Sequence, residues 1–388
     1  MMGDDPEDDL EFDEAKQLLA KRYQREAILL SLLSLAFFST LTFASLPSGI
    51  SLRLESWAHN SNSSPWLIVA LYVSVAYVFL NVLSLPIRVV GRQSDLKYGL
   101  TKQSWPSWAG DRMKSLAFGL LFAVVAIEAL YWSIRNFGTL WWLVFWMLSV
   151  GFTLVAGYVA PVLFLPIFYR VRRMEDTDVV ERLEDLADRA GVKVMGVYEV
   201  RSSPKTERGT AALAGLGHTR RILLSDHILR NYTTDEVEGI LAHELAHHVQ
   251  RDSAFYLLLS ASTSLVALLL SDLFVRSTMS HFGISGLSQI ANLPLFALFA
   301  ILFRTATGPL SRYVSRRRES RADIIGASLS GHPRSLASAL IKLHNQNLSD
   351  ATPPAVVEAL LYTHPSGHRR VEALLSMAER REPSGSNR

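Results

Sequence analysis

Residues 241–252 read Leu-Ala-His-Glu-Leu-Ala-His-His-Val-Gln-Arg-Asp, and within them His243, Glu244 and His247 form the pattern His-Glu-x-x-His. On an α-helix, residues four apart lie one above the other, so His243 and His247 can aim two imidazoles at one ion. Zinc suits such a pair, because imidazole nitrogen is among its preferred ligands and tetrahedral geometry accommodates the angle. Glu244 is rotated too far around the helix to be a comfortable third ligand. It can reach a water at the ion, where a hydrolase needs its general base. Ala242, Leu245, Ala246 and Val249 make the rest of the helix apolar, and Thr233-Thr234-Asp235-Glu236 supplies an N-terminal cap with acids in the first turn. The competing reading is a polar helix face that carries histidines by chance; two histidines on a mostly apolar helix speak against it. His248 faces elsewhere and reads as an ordinary polar residue.

Composition narrows the setting. The chain has 388 residues, enough for two or three domains, and 49% of them are hydrophobic. A mean hydropathy of +0.18 is high for a soluble protein, and the apolar residues are clustered. With 39 basic and 36 acidic residues the net charge is +3, too balanced to suggest nucleic acid as a partner. There is no cysteine, so any zinc must be held by histidine and carboxylate.

Six apolar runs are long enough to be membrane spans: Ala27 to Leu46, Trp66 to Val90, Ser115 to Ile134, Trp141 to Phe168, Ala254 to Val275, and Leu287 to Phe303. Asn292 and Pro294 interrupt the last. Arg88, Arg92, Lys97, Lys102, Arg112 and Lys114 lie between spans two and three, Arg170, Arg172 and Arg173 follow span four, and a run of arginines from Arg304 to Arg321 follows span six. The opposite loops are poor in Lys and Arg, which predicts that both termini and the histidine helix are cytoplasmic. Residues 1–26 read as an acidic, solvated cytoplasmic tail, 27–175 as spans one to four with a cytoplasmic loop at 88–114, and 176–253 as a cytoplasmic subdomain carrying the zinc helix. Residues 254–308 form the hairpin of spans five and six, and 309–388 a C-terminal helical part. Within the subdomain, 178–190 has helical spacing, Val192 to Val200 alternates like a strand, and 211–214 and 221–224 are two short strand-like runs. A small sheet beside the metal helix would let a peptide substrate add itself as a further strand.

A His-Glu-x-x-His site needs another protein ligand and an open position. After span six, Glu319 and Asp323 share a helix face at i and i+4, and the hairpin of spans five and six returns them to the side of His243. One of the two can bind the metal while the other holds a ligand histidine by its second nitrogen.

This set resembles the integral-membrane zinc metalloproteases of the CAAX prenyl protease family, with bacterial heat-shock membrane proteases as more distant relatives. Their pattern is His-Glu-x-x-His, then Glu-x-x-x-Asp after a membrane hairpin. The resemblance implies His243, His247 and Glu319 as ligands of one Zn²⁺ per chain, Glu244 as the base and Asp323 as the partner of a ligand histidine. Thr363-His364-Pro365 with Arg370 is similar to the family's C-terminal His-Pro motif, which implies that His364, aided by Arg370, stabilises the oxyanion. Leu85-Pro86, Tyr98-Gly99-Leu100 with Gln103, and Pro161, Pro166 and Phe168 are similar to the longer N-terminal half of the prenyl protease branch. The substrate-binding strand would be Thr210, Ala211, Ala212 and Leu213. There Thr210 replaces the asparagine usual in the family. Eukaryotic members have seven spans around a large chamber, against six here.

The expectation is therefore a mainly α polytopic membrane protein of about six transmembrane helices, with a cytoplasmic zincin-type domain containing a small β-sheet. Its partners would be the bilayer and a peptide or protein substrate, prenylated in the prenyl-protease reading. Quality-control cleavage of misfolded or unprenylated chains is the alternative, and a non-catalytic scaffold or transporter with a structural zinc is the alternative of another class. A purely structural site has no use for Glu244. A bacterial cytoplasmic membrane is the expected location, with the endoplasmic reticulum as the other candidate.

Overall fold

The structure, a computed structural model, describes residues 10–175, 177–215 and 217–381. Five stretches are long and apolar enough to cross a membrane: Glu14–Ala44, Pro65–Leu83, Trp105–Val159, Asp252–Phe282 and Ile290–Ser330. The third is two helices broken at Gly138, whose φ of 52° no ordinary side chain adopts comfortably, so six long apolar helices result. In chain order these and their short companions are α1 (Glu14–Ala44), α2 (Ile50–Ser61), α3 (Pro65–Leu83), α4 (Leu85–Lys97), α5 (Trp105–Phe137), α6 (Trp141–Leu163) and α7 (Leu165–Phe168). After the sheet region come α8 (Thr177–Arg189), α9 (Asp226–Asn231), α10 (Thr234–Val249), α11 (Asp252–Thr278) and α12 (Leu293–Ser330), then α13 (Pro333–Asn347), α14 (Ala355–Leu361) and α15 (Gly367–Arg381). Leu29, Leu32 and Leu33 of α1 and Phe152, Leu154 and Val155 of α6 are largely exposed, as lipid-facing side chains should be. The chain is an integral membrane protein.

Several boundaries differ from those the sequence predicts. Helix α1 begins at Glu14, thirteen residues before the first apolar run, because Asp13 caps it by accepting from the Lys16 amide at 2.9 Å. The acidic tail is correspondingly shorter. Leu10 and Phe12 pack on the C-terminal helices, and residues 1–9 lie outside the described residues. The second run breaks at Ser84, since Pro86 supplies no amide to continue α3, and Arg88 Nε donates to the Ser84 hydroxyl at 2.9 Å. In the sixth run Pro294 opens a helix instead of interrupting one. Asn292 Nδ2 closes the preceding turn on the Gly286 carbonyl at 2.8 Å, and α12 then runs unbroken past Glu319 and Asp323.

The sheet has four strands, β1 (Arg170–Arg173), β2 (Val197–Arg201), β3 (Ala211–Ala214) and β4 (Arg221–Ser225), in the order β1-β2-β4-β3. The outer pairs are antiparallel and β2–β4 is parallel. Strand β2 starts only at Val197 because Gly196 sits at φ 136°; the reading of 192–200 as one strand is too long. Strand β1 is an arginine-rich segment with no alternation to reveal it.

Of four buried apolar clusters among the described residues, three larger ones hold these parts. One, in the membrane half, gathers Tyr72, Tyr131, Trp141, Val275 and Leu295. A second packs Leu183 and Leu186 of α8 and Ile222 and Leu224 of β4 against Leu241 and Leu245 of α10. Each fully buried leucine there contributes about 2 kcal/mol. The third joins Ala327 of α12 to Leu336 and Leu340 of α13 and to Val371 and Leu374 of α15. The metal helix is thus wedged between the second core and α12.

Candidate metal centre

Helix α10 starts with a reciprocal cap. The Thr233 hydroxyl accepts from the Glu236 amide at 3.3 Å and the Glu236 carboxylate accepts from the Thr233 amide at 2.8 Å. Ser338 and Lys342 of α13 hold the same carboxylate, so the cap also fixes α10 against its neighbour. On the other side α12 lies so close that a Cβ added at Gly326 would sit 2.8 Å from the His243 backbone nitrogen and Cα. That approach brings Glu319 to the histidines.

His243 Nε2 lies 3.4 Å from Glu319 Oε2, and His247 Nε2 lies 3.6 Å from Glu319 Oε1. The three groups can each offer one atom within 4.8 Å of the others. Tetrahedral zinc with bonds of 2.0–2.1 Å would set its ligand atoms about 3.3 Å apart. Glu319 Oε2 is buried and, although His364 Nδ1 approaches to 2.9 Å, no donor meets it along a hydrogen-bond line. A buried carboxylate whose two oxygens face three imidazoles, one oxygen without an aligned donor, is what a cation site presents. The donor set, two neutral nitrogens and a carboxylate, fits zinc.

The far nitrogens face carboxylates. His243 Nδ1 is 3.0 Å from Asp323 Oδ1, a short ion-pair contact bent away from the ring N–H axis. His247 Nδ1 is hydrogen-bonded to Asp252 Oδ2 at 2.6 Å. Each of these carboxylates is gripped by an arginine. Arg370 forks onto Asp323, Nε to Oδ2 at 2.8 Å and Nη2 to Oδ1 at 2.7 Å. Arg318 binds Asp252 Oδ1, donates from Nη2 to the Gln250 carbonyl at 2.8 Å, and stacks its guanidinium 4.2 Å over the Phe255 ring. Histidine, carboxylate and arginine thus form two parallel chains, one behind each imidazole.

The sequence reading pairs only one carboxylate, Asp323, with the histidines and assigns no role to Asp252 or Arg318. Asp252 is five residues past His247, outside helical i+4 spacing. It folds back because Arg251, at φ 55°, turns the chain between α10 and α11. The resemblance implies that Arg370 helps at the oxyanion; its side chain is buried and its fork is occupied by Asp323. His364 stays exposed on the loop between α14 and α15, with Nδ1 against Glu319.

Glu244 borders a cavity of about 550 Å³ shared with Leu213, Gly215, Arg220 and His247. Burial pushes its carboxyl above the usual range, against the downward pull of His243 and His247. Burial lowers the His243 imidazole, but Asp323 and Glu319 more than offset this and raise it to about 9. Strand β3 lies beside α10 at one edge of the sheet, and among the described residues no strand pairs with its outer side. Thr210 precedes it, its amide donating to the Ser225 hydroxyl at 3.0 Å and its carbonyl accepting from the Ser225 amide at 2.9 Å. The backbone that leads into β3 is therefore fixed whatever the side chain at 210. Ala211, Ala212 and Leu213 follow in extended register against β4.

Comparison with known proteins agrees with this architecture. The family Peptidase family M48 matches residues 173–378, and the description CAAX prenyl protease N-terminal, five membrane helices, matches residues 7–170. The uncharacterized metalloprotease YhfN of Bacillus subtilis is 30% identical over 86% of this chain and 79% of its own. The probable CAAX prenyl protease 1 of Schizosaccharomyces pombe is 27% identical over 72% of this chain, and the match spans 59% of the yeast protein. The crystal structure of S. mikatae Ste24p superposes with a TM-score of 0.82 at 21% identity, covering 93% of this chain and 89% of that one, so the fold is shared. The resemblance to CAAX prenyl proteases read from the motifs holds, and the chain belongs to Peptidase family M48.

Proposed function

We propose that the chain is a membrane-embedded zinc endopeptidase, with His243, His247 and Glu319 holding one Zn²⁺. The observation that carries this reading is the convergence of two Nε2 atoms on Glu319 beside Glu244, at a cavity flanked by an unpaired strand edge. A zinc ion held there supplies Lewis acidity to a scissile carbonyl and to a water. Glu244 takes the proton from the attacking water as its oxygen bonds to the carbonyl carbon, and the same carboxyl returns that proton to the amine as the C–N bond breaks. Its raised pKa suits both steps. His364, exposed and next to Glu319, is positioned to donate to the developing oxyanion. Asp323 and Asp252 orient the imidazoles, and Arg370 acts through Asp323. The substrate backbone would extend the sheet along β3, over Ala211, Ala212 and Leu213.

The favoured substrate is a prenylated C-terminal CAAX segment, a reading supported by the names of several relatives. Loop charge supports a cytoplasmic metal site and cytoplasmic termini. The test is cleavage of a farnesylated CAAX peptide by zinc-loaded protein in detergent, beside Glu244→Gln. The variant should keep its metal and lose cleavage by about 10²–10⁴-fold. Undiminished cleavage by the variant removes the mechanism. Cutting that depends on Glu244 but occurs only on an unfolded, unprenylated protein reassigns the substrate to quality control.

A further inference from the structure

Strand β1 follows the membrane half directly, and its arginines make no ion pair among the described residues. Its register places Arg170 opposite Arg201 and Arg172 opposite Glu199. Side chains alternate along a strand, so these four project from one face of the sheet. Arg230 of α9 closes the other side of a cleft of about 380 Å³ lined by these five residues. Four guanidiniums face one carboxylate. Arg230 is held by Asp226 at 3.2 Å, but Arg170, Arg172 and Arg201 make no ion pair among the described residues, and all three are exposed. Arg170 and Arg201, like charges directly across the strand pair, repel, and an anion between them would relieve that repulsion.

The depth of the cleft indicates which anion. The apolar run of α6 continues through Leu165-Pro166-Ile167-Phe168 of α7, and two lysines mark where it ends. Lys114 Nζ donates to the Ile167 carbonyl at 3.1 Å and Lys205 Nζ to the Phe168 carbonyl at 2.6 Å. Arg170 is two residues further on. The cleft therefore stands at the height where lipid phosphates lie. It is also at the opposite edge of the sheet from β3, so a peptide extending β3 does not reach it.

We propose that this cleft binds the phosphate of an anionic phospholipid headgroup, and so ties the sheet of the metal domain to the bilayer surface. Guanidinium forks match phosphate oxygens, and a headgroup phosphodiester is the phosphate source at this height. The site is independent of the proteolytic reading, since it needs neither the metal nor Glu244.

The test is binding of short-chain phosphatidylglycerol to the full-length, zinc-loaded protein in a neutral detergent, measured by titration calorimetry. Short-chain phosphatidylcholine and inorganic phosphate are titrated in parallel. The wild type should bind phosphatidylglycerol in preference to both. Each arginine neutralised should weaken it about fivefold, so the triple variant Arg170→Gln, Arg172→Gln, Arg201→Gln should lose on the order of a hundredfold. Its metal content should stay unchanged and its Tm without lipid should not fall, and if it fails to fold, Arg172→Gln alone should show the fivefold step. Substituting Arg22→Gln and Arg25→Gln, basic residues of α1 elsewhere on the molecule, should leave binding intact. Equal binding by the triple variant or by Arg172→Gln, loss in the α1 variant instead, or inorganic phosphate binding as tightly as the lipid would each overturn the proposal.

Discussion

Replacing Asp252 with alanine should loosen the metal more than it loosens the fold. Asp252 holds His247 through the 2.6 Å bond to Nδ1, which fixes the tautomer that leaves Nε2 free to face Glu319. Loss of such a partner typically weakens metal binding by about 10–100-fold, or about 1.4–2.8 kcal/mol. The substitution also strands Arg318, whose charge is only partly compensated by the Gln250 carbonyl and the Phe255 ring. Some solvent reaches that guanidinium, so the folding cost should stay at about 1–3 kcal/mol, below that of a fully buried broken pair. The two effects separate experimentally. Zinc affinity is measured by competition with a chelator of known strength, and stability by the Tm of the metal-stripped protein. Arg318→Ala should weaken zinc less, because Asp252 remains to accept from His247. The double variant should fall short of the sum of the singles, since both act through one contact. Zinc affinity within about twofold of wild type in Asp252→Ala would refute the idea that this carboxylate positions His247.

Two further outcomes follow from the same geometry. Gly326→Ala puts a methyl 2.8 Å from the His243 backbone, so α12 must retreat by several tenths of an ångström; zinc affinity should drop while Gly331→Ala, at an open position with φ 77°, costs stability alone. In the metal-free protein His243 carries a proton up to about pH 9, above its ordinary value. Its contribution to stability is then fully present below about pH 6.5 and lost as pH rises through about 9, and zinc must displace that proton. Calorimetry in buffers of different ionisation heat should detect proton release on zinc binding near neutral pH, and an absence of release there would contradict the shift.

Much of the site was legible because it obeys helical spacing. His243 and His247 are one turn apart on α10, Glu319 and Asp323 one turn apart on α12, and both pairs emerge on facing sides. What resisted reading lies where the chain turns. Strand β1 is four residues of mostly arginine and became a strand only through pairing with β2. Gly196 and Ser84 cut elements that composition alone would continue. Arg370 carries a charge whose partner, forty-seven residues away, is set by packing of α15 and not by any periodicity.

Asp252 and Arg318 meet because of helix length, which the structure shows and the apolar runs of unequal length do not. Helix α11 runs from Asp252 to Thr278, and α12 covers the same number of residues from Leu293 to Glu319. At 1.5 Å per residue each segment is about 39 Å long. Two antiparallel helices of equal length, joined at their far ends, must return to the same height. Asp252 is therefore level with Arg318 and Glu319 before any side chain is considered, and the hairpin sets the distance of the metal from the membrane. The hydrocarbon core takes up about 30 Å of that length, which leaves about 9 Å to be shared between the two ends of the hairpin. Inserting one residue in α11 would break this match, moving Asp252 by about 100° around the helix and 1.5 Å along it. Such an insertion should cost zinc affinity as Asp252→Ala does, and a compensating insertion in α12 should not restore it, because the rotation displaces Leu295 and Val275 from the membrane core.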